Sequence, residues 1–312
     1  MIQLEKMNKD RLLIVDSNAL LHRAFHALPP LTTKSGEQTG AIYGFLLAFL
    51  KAIKDLSPKY VVACFDTKAP TFRHIEFKEY KAQRPKTPDE IISQLPKTQD
   101  ILREFNVPVF SKEGFEADDL IATITRKALE WSKEADIYIL SGDLDNTQLV
   151  SDNVRVYSLG KGVKDIIVYD KDKVFERFAV WPDQIVDFKA LVGDSSDNIP
   201  GVAGIGQKTA ASLLQGFGNL DNLYEKIEQD PNIKPRVKEI LKKYKEEAFL
   251  ARKLVKMKND VDIDFNIEDC YFGQFDKNKI IDILSKFEFH SLVARLPFLQ
   301  KEEKISVQKS LL

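Results

Sequence analysis

The chain has 312 residues, 46 of them Lys or Arg and 47 Asp or Glu, giving a formal net charge of −1, with 44% hydrophobic and 30% charged residues. That length fits one large or two ordinary globular domains, while two cysteines, Cys64 and Cys270, exclude a disulfide framework and a cysteine-built zinc site and suit a reducing cytosol. The first apolar run, Leu12 to Val15, stops at Asp16, and the longest, "AIYGFLLAFL", is too short to span a bilayer, so a soluble cytoplasmic protein without a membrane partner is expected.

In chain order, "LLIVD" (12–16), "YVVACFD" (60–66) and "IYILSGD" (137–143) read as buried parallel strands, each ending in an aspartate, with the strand-like "VPVF" before residue 111. Between them, "TGAIYGFLLAFLKAIKDL" and "ADDLIATITRKALEWSKE" carry apolar residues at helical spacing. The alternation predicts an α/β domain with a mostly parallel central sheet flanked by helices. "VRVYSL" and "DIIVYD" add two strands, joined as a hairpin around Gly160 and Gly162. From about residue 182 the pattern turns to helices and glycine-rich turns, followed by a lysine-rich helical stretch over 234–258. The expected division is 1–181 for the α/β domain, 182–300 for a helical subdomain sharing its core, and 301–312 for a tail.

The stretch "GFEADDLIAT" sets Glu116, Asp118 and Asp119 within four positions. Acids in a first helical turn interact favourably with the helix dipole, but that accounts for one or two of them, and neighbouring carboxylates raise one another's pKa unless cations or donors hold them ionised. Ligands in a parallel sheet bind at the carboxyl ends of the strands, where Asp16, Asp66 and Asp143 fall, with Asp145 in the same loop. Asp194 and Asp197 in "VGDSSDNIP" bring the set to nine. Each alone reads more readily as a turn or cap residue than as a ligand. Together they would repel by on the order of several kcal/mol, and hard divalent ions such as Mg²⁺ or Mn²⁺, two rather than one, would relieve this. Setting the nine aside leaves 46 basic against 38 acidic residues, a basic remainder suited to a polyanion.

The segment 71–86, "TFRHIEFKEYKAQRPK", interleaves Arg73, Phe77, Tyr80, Lys81 and Arg84 at helical spacing. Such a helix holds a single strand by charge and stacking, or else is an amphipathic helix with its rings packed inward. In "NIPGVAGIGQKTAASLL", Gly201, Gly204 and Gly206 precede Lys208 and a helical run, a turn that admits close backbone approach and offers free amides to a duplex phosphate. The ten Lys or Arg against three Glu over 234–258 read as a solvated helix or as further basic surface.

These residues resemble the 5′ nuclease superfamily of flap endonucleases, most closely the 5′ to 3′ exonuclease domain of bacterial DNA polymerase I. The likeness runs over 11–297 through "DSNALLHRAFHALPPL", "FDTKAPTFRHIEFKEYKAQRP", "EADDLIATI", "SGDLDNTQLV", "GDSSDNIPGVAGIGQKTA" and "FEFHSLVARLP". It implies a PIN-like 5′ nuclease fold with a helical arch near 70–90 and a helix-three-turn-helix element at the glycine hairpin, which binds duplex DNA and in some members a potassium ion. It implies that Asp16, Asp66, Glu116 and Asp118 surround one metal ion, that Asp143, Asp145 and Asp197 surround a second, and that Asp119 and Asp194 complete the acidic set. By the same resemblance Arg23 and Phe25 guide the 5′ end, Arg73, Lys81 and Arg84 belong to the arch, and Tyr80 is a candidate stacking ring. Lys81 and Arg84 would neutralise charge on the reacting phosphate.

The chain departs from the family pattern at Leu144, where a lysine is usual, at Asn146, commonly apolar, at Ser17, often glycine, and at His22, often aromatic. The function implied is Mg²⁺-dependent hydrolysis of DNA near 5′ ends and flaps, in replication primer removal and repair, alone or joined to a polymerase. Two other readings stand beside it: a non-catalytic DNA-junction binding module, and a ribonuclease acting on RNA primers.

Overall fold

The computed structural model describes residues 10–160 and 165–296. Six strands, β1 (Arg11–Asp16), β2 (Tyr60–Cys64), β3 (Val109–Phe110), β4 (Asp136–Ser141), β5 (Val154–Leu159) and β6 (Ile166–Tyr169), form one sheet in the order β3-β2-β1-β4-β5-β6. The first five are parallel, and β6 runs antiparallel to β5. Of the hairpin glycines expected between β5 and β6, Gly162 lies outside the described residues, as does the 301–312 tail. Only Asp16 is itself the last residue of a strand; β2 and β4 end two residues short of Asp66 and Asp143, so those acids stand on loops beyond the sheet.

The central strands are continuously apolar because both faces are covered. Leu12 and Ile14 of β1, Val62 of β2 and Ile139 of β4 join one core with Leu120, Ile121 and Ile124 of the helix Ala117–Trp131. That core continues without a break into Phe188, Leu191, Leu214 and Leu254 of the helical half. Leu13, Val15, Val61 and Ala63 point the other way, against Leu20, Phe45, Phe49 and Leu102 from helices before β3. This second layer is completed from the far end of the chain by Ile280 and Leu284 of the helix Lys277–Lys286 and by Phe289 and Leu292.

Past Tyr169 the described residues hold helices and turns but no further strand of the sheet. The lysine-rich stretch is two helices, Pro235–Lys243 and Lys245–Val255, divided at Tyr244. No helix among the described residues is long and apolar enough to cross a membrane.

The single helix expected over 71–86 does not form. A helix of five residues, Phe72–Glu76, gives way to turns through Arg84, with Lys81 in the left-handed region at φ 54°. Helical spacing therefore does not set which side chains face together here.

The glycine hairpin joins the helices Ile185–Val192 and Gln207–Phe217. Asp194 and Ile199 exchange both backbone hydrogen bonds at its base, at 2.9 and 2.8 Å. Gly201 lies against the end of the first helix so closely that a Cβ there would fall 2.2 Å from the Gly193 nitrogen and 2.7 Å from the Leu191 carbonyl. Gly201→Ala is therefore expected to cost at least the ~1–3 kcal/mol typical of overpacking. Gly206→Ala, with nothing within 4 Å of the added carbon, should cost under about 1 kcal/mol. Urea unfolding midpoints of the two variants measure the difference.

Candidate active site

The strand order reverses between β1 and β4, and in an open sheet of this kind the crevice for a ligand lies outside the carboxyl ends of the strands at that reversal. Asp16 ends β1 there, only 3% exposed. Its Oδ1 accepts the Ala19 amide at 3.2 Å, and its Oδ2 accepts the Ser141 hydroxyl at 2.6 Å from the end of β4. Ser141 Oγ in turn accepts the Asp143 amide at 2.9 Å, and Asp143 Oδ1 accepts the Asp145 amide at 2.9 Å. From the next layer the helix Ala117–Trp131 brings Asp118, while Asp66 Oδ1 accepts the Ala117 amide at 2.7 Å and ties the β2 loop to that helix start.

Burial pushes the Asp16 carboxyl up to about 7, reinforced by repulsion from Asp143 and Asp66 and opposed by the Ser141 hydrogen bond. Asp145 is raised to about 7 by burial and by Asp143, with Lys189 pulling the other way. Burial, then repulsion from Asp16, Asp143 and Asp145, lifts Asp118 well above the usual carboxylate range. Among the described residues no lysine or arginine forms an ion pair with Asp16, Asp66, Asp118 or Asp143.

The surrounding acids are paired. Glu116 accepts Lys81 Nζ at 2.8 Å and the Tyr80 hydroxyl at 3.0 Å, and the same hydroxyl lies 3.0 Å from Asp197, which also pairs with Arg84. Lys189 bridges Asp145 and, at 2.7 Å, Asp194. Although burial opposes it, that ammonium and the Ser196 hydrogen bonds hold Asp194 down at about 2.

Three expectations are overturned by this geometry. Asp119 is fully buried, and both its oxygens are taken: Oδ1 accepts Arg73 at 2.8 Å and the Lys258 amide at 2.8 Å, and Oδ2 accepts Arg73 at 2.7 Å and the Glu116 amide at 3.1 Å. It has no free lone-pair face to offer an ion. Arg73, 3% exposed, also donates to the Leu254 carbonyl at 2.7 Å and is unavailable to a phosphate. Tyr80 is 2% exposed, packed edge-on against His74, so its ring cannot stack on a base. The five-residue helix and the turns after it point Arg73 and Tyr80 inward, where carboxylates and carbonyls satisfy them.

Of the other expected residues, Lys81 and Arg84 stand at the rim of the carboxylate cluster. Arg23 lies along the Gly142 backbone, beside the loop carrying Asp143, and donates to the Gly160 carbonyl. Phe25, partly buried, meets His26 edge-on at 5.2 Å. Gly204, Gly206 and Lys208 are exposed at and just before the start of the helix Gln207–Phe217, which has no side-chain cap, and Gly201 is half-buried. Sequence reasoning missed Lys189 and Ser141, and marked Asn146 only as a departure from the family pattern. A lone cation in the apolar run "IVDFKALVG" is the only trace of Lys189, and nothing in the spacing singles out the other two.

Among the described residues no three His, Cys, Asp or Glu side chains stand as they are in a metal-holding arrangement, the outer acids being turned to Lys81, Arg84 and Lys189. The donor set nevertheless fits divalent ions: it is all oxygen, crowded, and short of cations at its centre. Five buried side-chain polar atoms among the described residues lack a partner, and three of them, Ser17 Oγ, Thr67 Oγ1 and Asn146 Oδ1, directly follow Asp16, Asp66 and Asp145. Hydrated ions bring the donors such atoms lack.

A family model described as 5′-3′ exonuclease, N-terminal resolvase-like domain, matches residues 11–179, and one described as 5′-3′ exonuclease, C-terminal SAM fold, matches 180–278. The chain is 39% identical over 282 residues to a 5′-3′ exonuclease of Aquifex aeolicus, covering 90% of this chain and 93% of that one. It is 36% identical over 301 residues to DNA polymerase I of Bacillus caldotenax, covering 96% of this chain and 34% of that protein, so it spans about a third of the polymerase's length. In fold it resembles T5 5′-exonuclease with divalent zinc ions bound, at TM-score 0.65, 24% identity, and coverage of 89% and 96%. The catalytic core of Rad2 in complex with DNA substrate aligns at TM-score 0.60 and 16% identity, covering 92% of each chain.

The raised carboxyls fix a sign for pH. An aspartate ordinarily titrating near ~3.9 but raised to about 7 in the fold contributes stability that is complete below the ordinary value and lost as pH rises through 7. Asp194, held at about 2, acts oppositely only at more acid pH. Ion-free protein should therefore melt at a lower temperature at pH 8 than at pH 5, and Mg²⁺ should raise the melting temperature more at pH 8; thermal denaturation in EDTA and in Mg²⁺ tests both. Asp119→Asn, which strips a buried guanidinium of its charge partner, is expected to cost about 3–5 kcal/mol by chemical denaturation, whereas Asp118→Asn should cost little or stabilise.

Proposed function

The chain belongs to the 5′-3′ exonuclease family, and we propose that it is a structure-specific 5′ nuclease, hydrolysing DNA phosphodiester bonds at 5′ ends and flaps with two divalent cations, Mg²⁺ or Mn²⁺. The observation that carries this reading is the crowd of carboxylates at the sheet's reversal point, Asp16 buried and Asp118 and Asp143 half-buried with no cation paired to them among the described residues, on a chain whose remaining charge is basic.

In this reading Asp16, Asp66, Glu116 and Asp118 hold one ion, and Asp143, Asp145 and Asp197, with Asp194 beside them, hold the other. When bound, such ions supply Lewis acidity that makes water a nucleophile near neutral pH and neutralises charge on the phosphate. The protein's own groups position the substrate. Lys81 and Arg84, at the rim of the cluster, meet the phosphate oxygens where charge grows. Arg23, beside the Asp143 loop, and Phe25 line the approach of the 5′ end. The free amides at the start of the helix Gln207–Phe217, with Gly201, Gly204, Gly206 and Lys208, hold the duplex backbone without reading bases. A potassium ion at this turn is part of the same proposal and rests on family resemblance alone. Covalent nucleophiles are not required, and the products carry 5′ phosphates. Because the polymerase relatives are about three times as long as the matched region, processing of 5′ ends ahead of a polymerase in replication and repair, in the cytoplasm, is proposed with it.

The test is a 5′-labelled flap incubated with Mg²⁺ or EDTA, reading product length and end chemistry. Cleavage is expected only with Mg²⁺, and Asp118→Ala should lower the rate by about 100-fold or more, since ion contacts at the reacting phosphate are worth several kcal/mol. That variant should still bind the flap in EDTA. Binding without cleavage by the unsubstituted protein would favour the junction-binding alternative, and preferential cleavage of a matched RNA flap would favour the ribonuclease.

A further inference from the structure

Beneath the carboxylates lies a polar layer to which no role has so far been given. Asn146, in the 3-10 turn Asp145–Leu149, is completely buried. Its side-chain amide donates to Asp118 Oδ1 at 3.3 Å and to Ser141 Oγ at 3.4 Å. A serine hydroxyl has one proton and two lone pairs. Ser141 accepts the Asp143 amide at 2.9 Å as well as Asn146, so its own proton goes to Asp16, at 2.6 Å. The hydroxyl is then saturated, and its direction is fixed by its neighbours.

The same accounting fixes Asn146. Turning the amide over would set its oxygen against a carboxylate oxygen and against a hydroxyl with no proton left to give. The nitrogen therefore faces Asp118 and Ser141, and Oδ1 is left without a partner among the described residues. Burying an unpaired carbonyl is unfavourable, and an apolar residue of similar size would avoid it. What the amide provides in exchange is a donor shared between two places in the acidic cluster where burial and like charge work against ionisation. It touches Asp118 directly and reaches Asp16 and Asp143 through Ser141.

Building on the function proposed above, we propose that Asn146 is a positioning residue: its buried amide holds Asp118 and, through Ser141, the ends of β1 and β4 in the arrangement from which they take up divalent ions. It touches no substrate. It acts on ion affinity rather than on the chemical step.

The test is Mn²⁺ binding to the DNA-free protein, followed by paramagnetic resonance, alongside flap cleavage over a range of Mn²⁺ concentrations. Asn146→Leu, which removes the donor and keeps the volume, is expected to weaken Mn²⁺ binding by about three- to tenfold, the scale of one hydrogen bond. The Mn²⁺ concentration for half-maximal cleavage should rise by the same factor, while the rate at saturating Mn²⁺ stays within about twofold. The melting temperature in EDTA should be unchanged or raised, because the unpaired carbonyl is gone. Asn146→Asp, the same shape with an oxygen facing Asp118, should weaken binding more. If the leucine variant does not fold, the aspartate variant is read by the same criterion. Unaltered Mn²⁺ affinity in a folded variant overturns the assignment. That result leaves the proposed function standing, whereas failure of the unsubstituted protein to bind Mn²⁺ at all overturns the proposed function as well.

Discussion

Like charge gathered where two strands part company is the constraint around which this molecule is organised. A parallel sheet whose order reverses beside β1 must leave a crevice there, and the sequence fills it with carboxylates. Burial, and after it their mutual repulsion, pushes the carboxyls of Asp16, Asp118 and Asp145 upward. At the rim of the crevice, cations stand beside the acids instead.

The periphery is held by cations from other parts of the chain. Arg73 reaches Asp119, Lys81 reaches Glu116, Arg84 reaches Asp197, and Lys189 spans Asp145 and Asp194. Two kinds of acid result. Asp119 belongs to architecture: it fastens the start of the helix Ala117–Trp131 to the Phe72–Glu76 segment and, through the Lys258 amide, to the helical half. The central acids belong to the crevice. Crowding in "GFEADDLIAT" thus has a divided answer: Asp119 anchors the helix start, and Glu116 and Asp118 stand at the crevice.

Much of this was legible in the sequence, for identifiable reasons. The central strands were readable because both faces are covered, which writes them as unbroken apolar runs. The acids around the crevice could be picked out because they fall at or just past strand ends and at a helix start. The 71–86 segment was misread because spacing reports only which residues share a face if a helix exists; Arg73 and Tyr80 are drawn inward by acids distant in sequence, and Lys81 adopts a backbone no helix contains. Lys189 and Ser141 escaped notice because their roles depend on partners brought close only by the sheet. Asn146 was seen as a departure from a family pattern, but its contacts had no sequence signature.

The return of the chain's far end to the sheet bears on what counts as one unit. Phe272 meets Phe49 and Phe275 meets Phe105 edge to face, and Ile280, Leu284, Phe289 and Leu292 complete the layer behind β1 and β2. A fragment trimmed at residue 278, where the matched family model stops, would keep every acid of the crevice yet lay bare aromatic rings on the opposite side. The minimal folded unit is therefore set by how the sheet's back is roofed, and its boundary lies beyond Leu292.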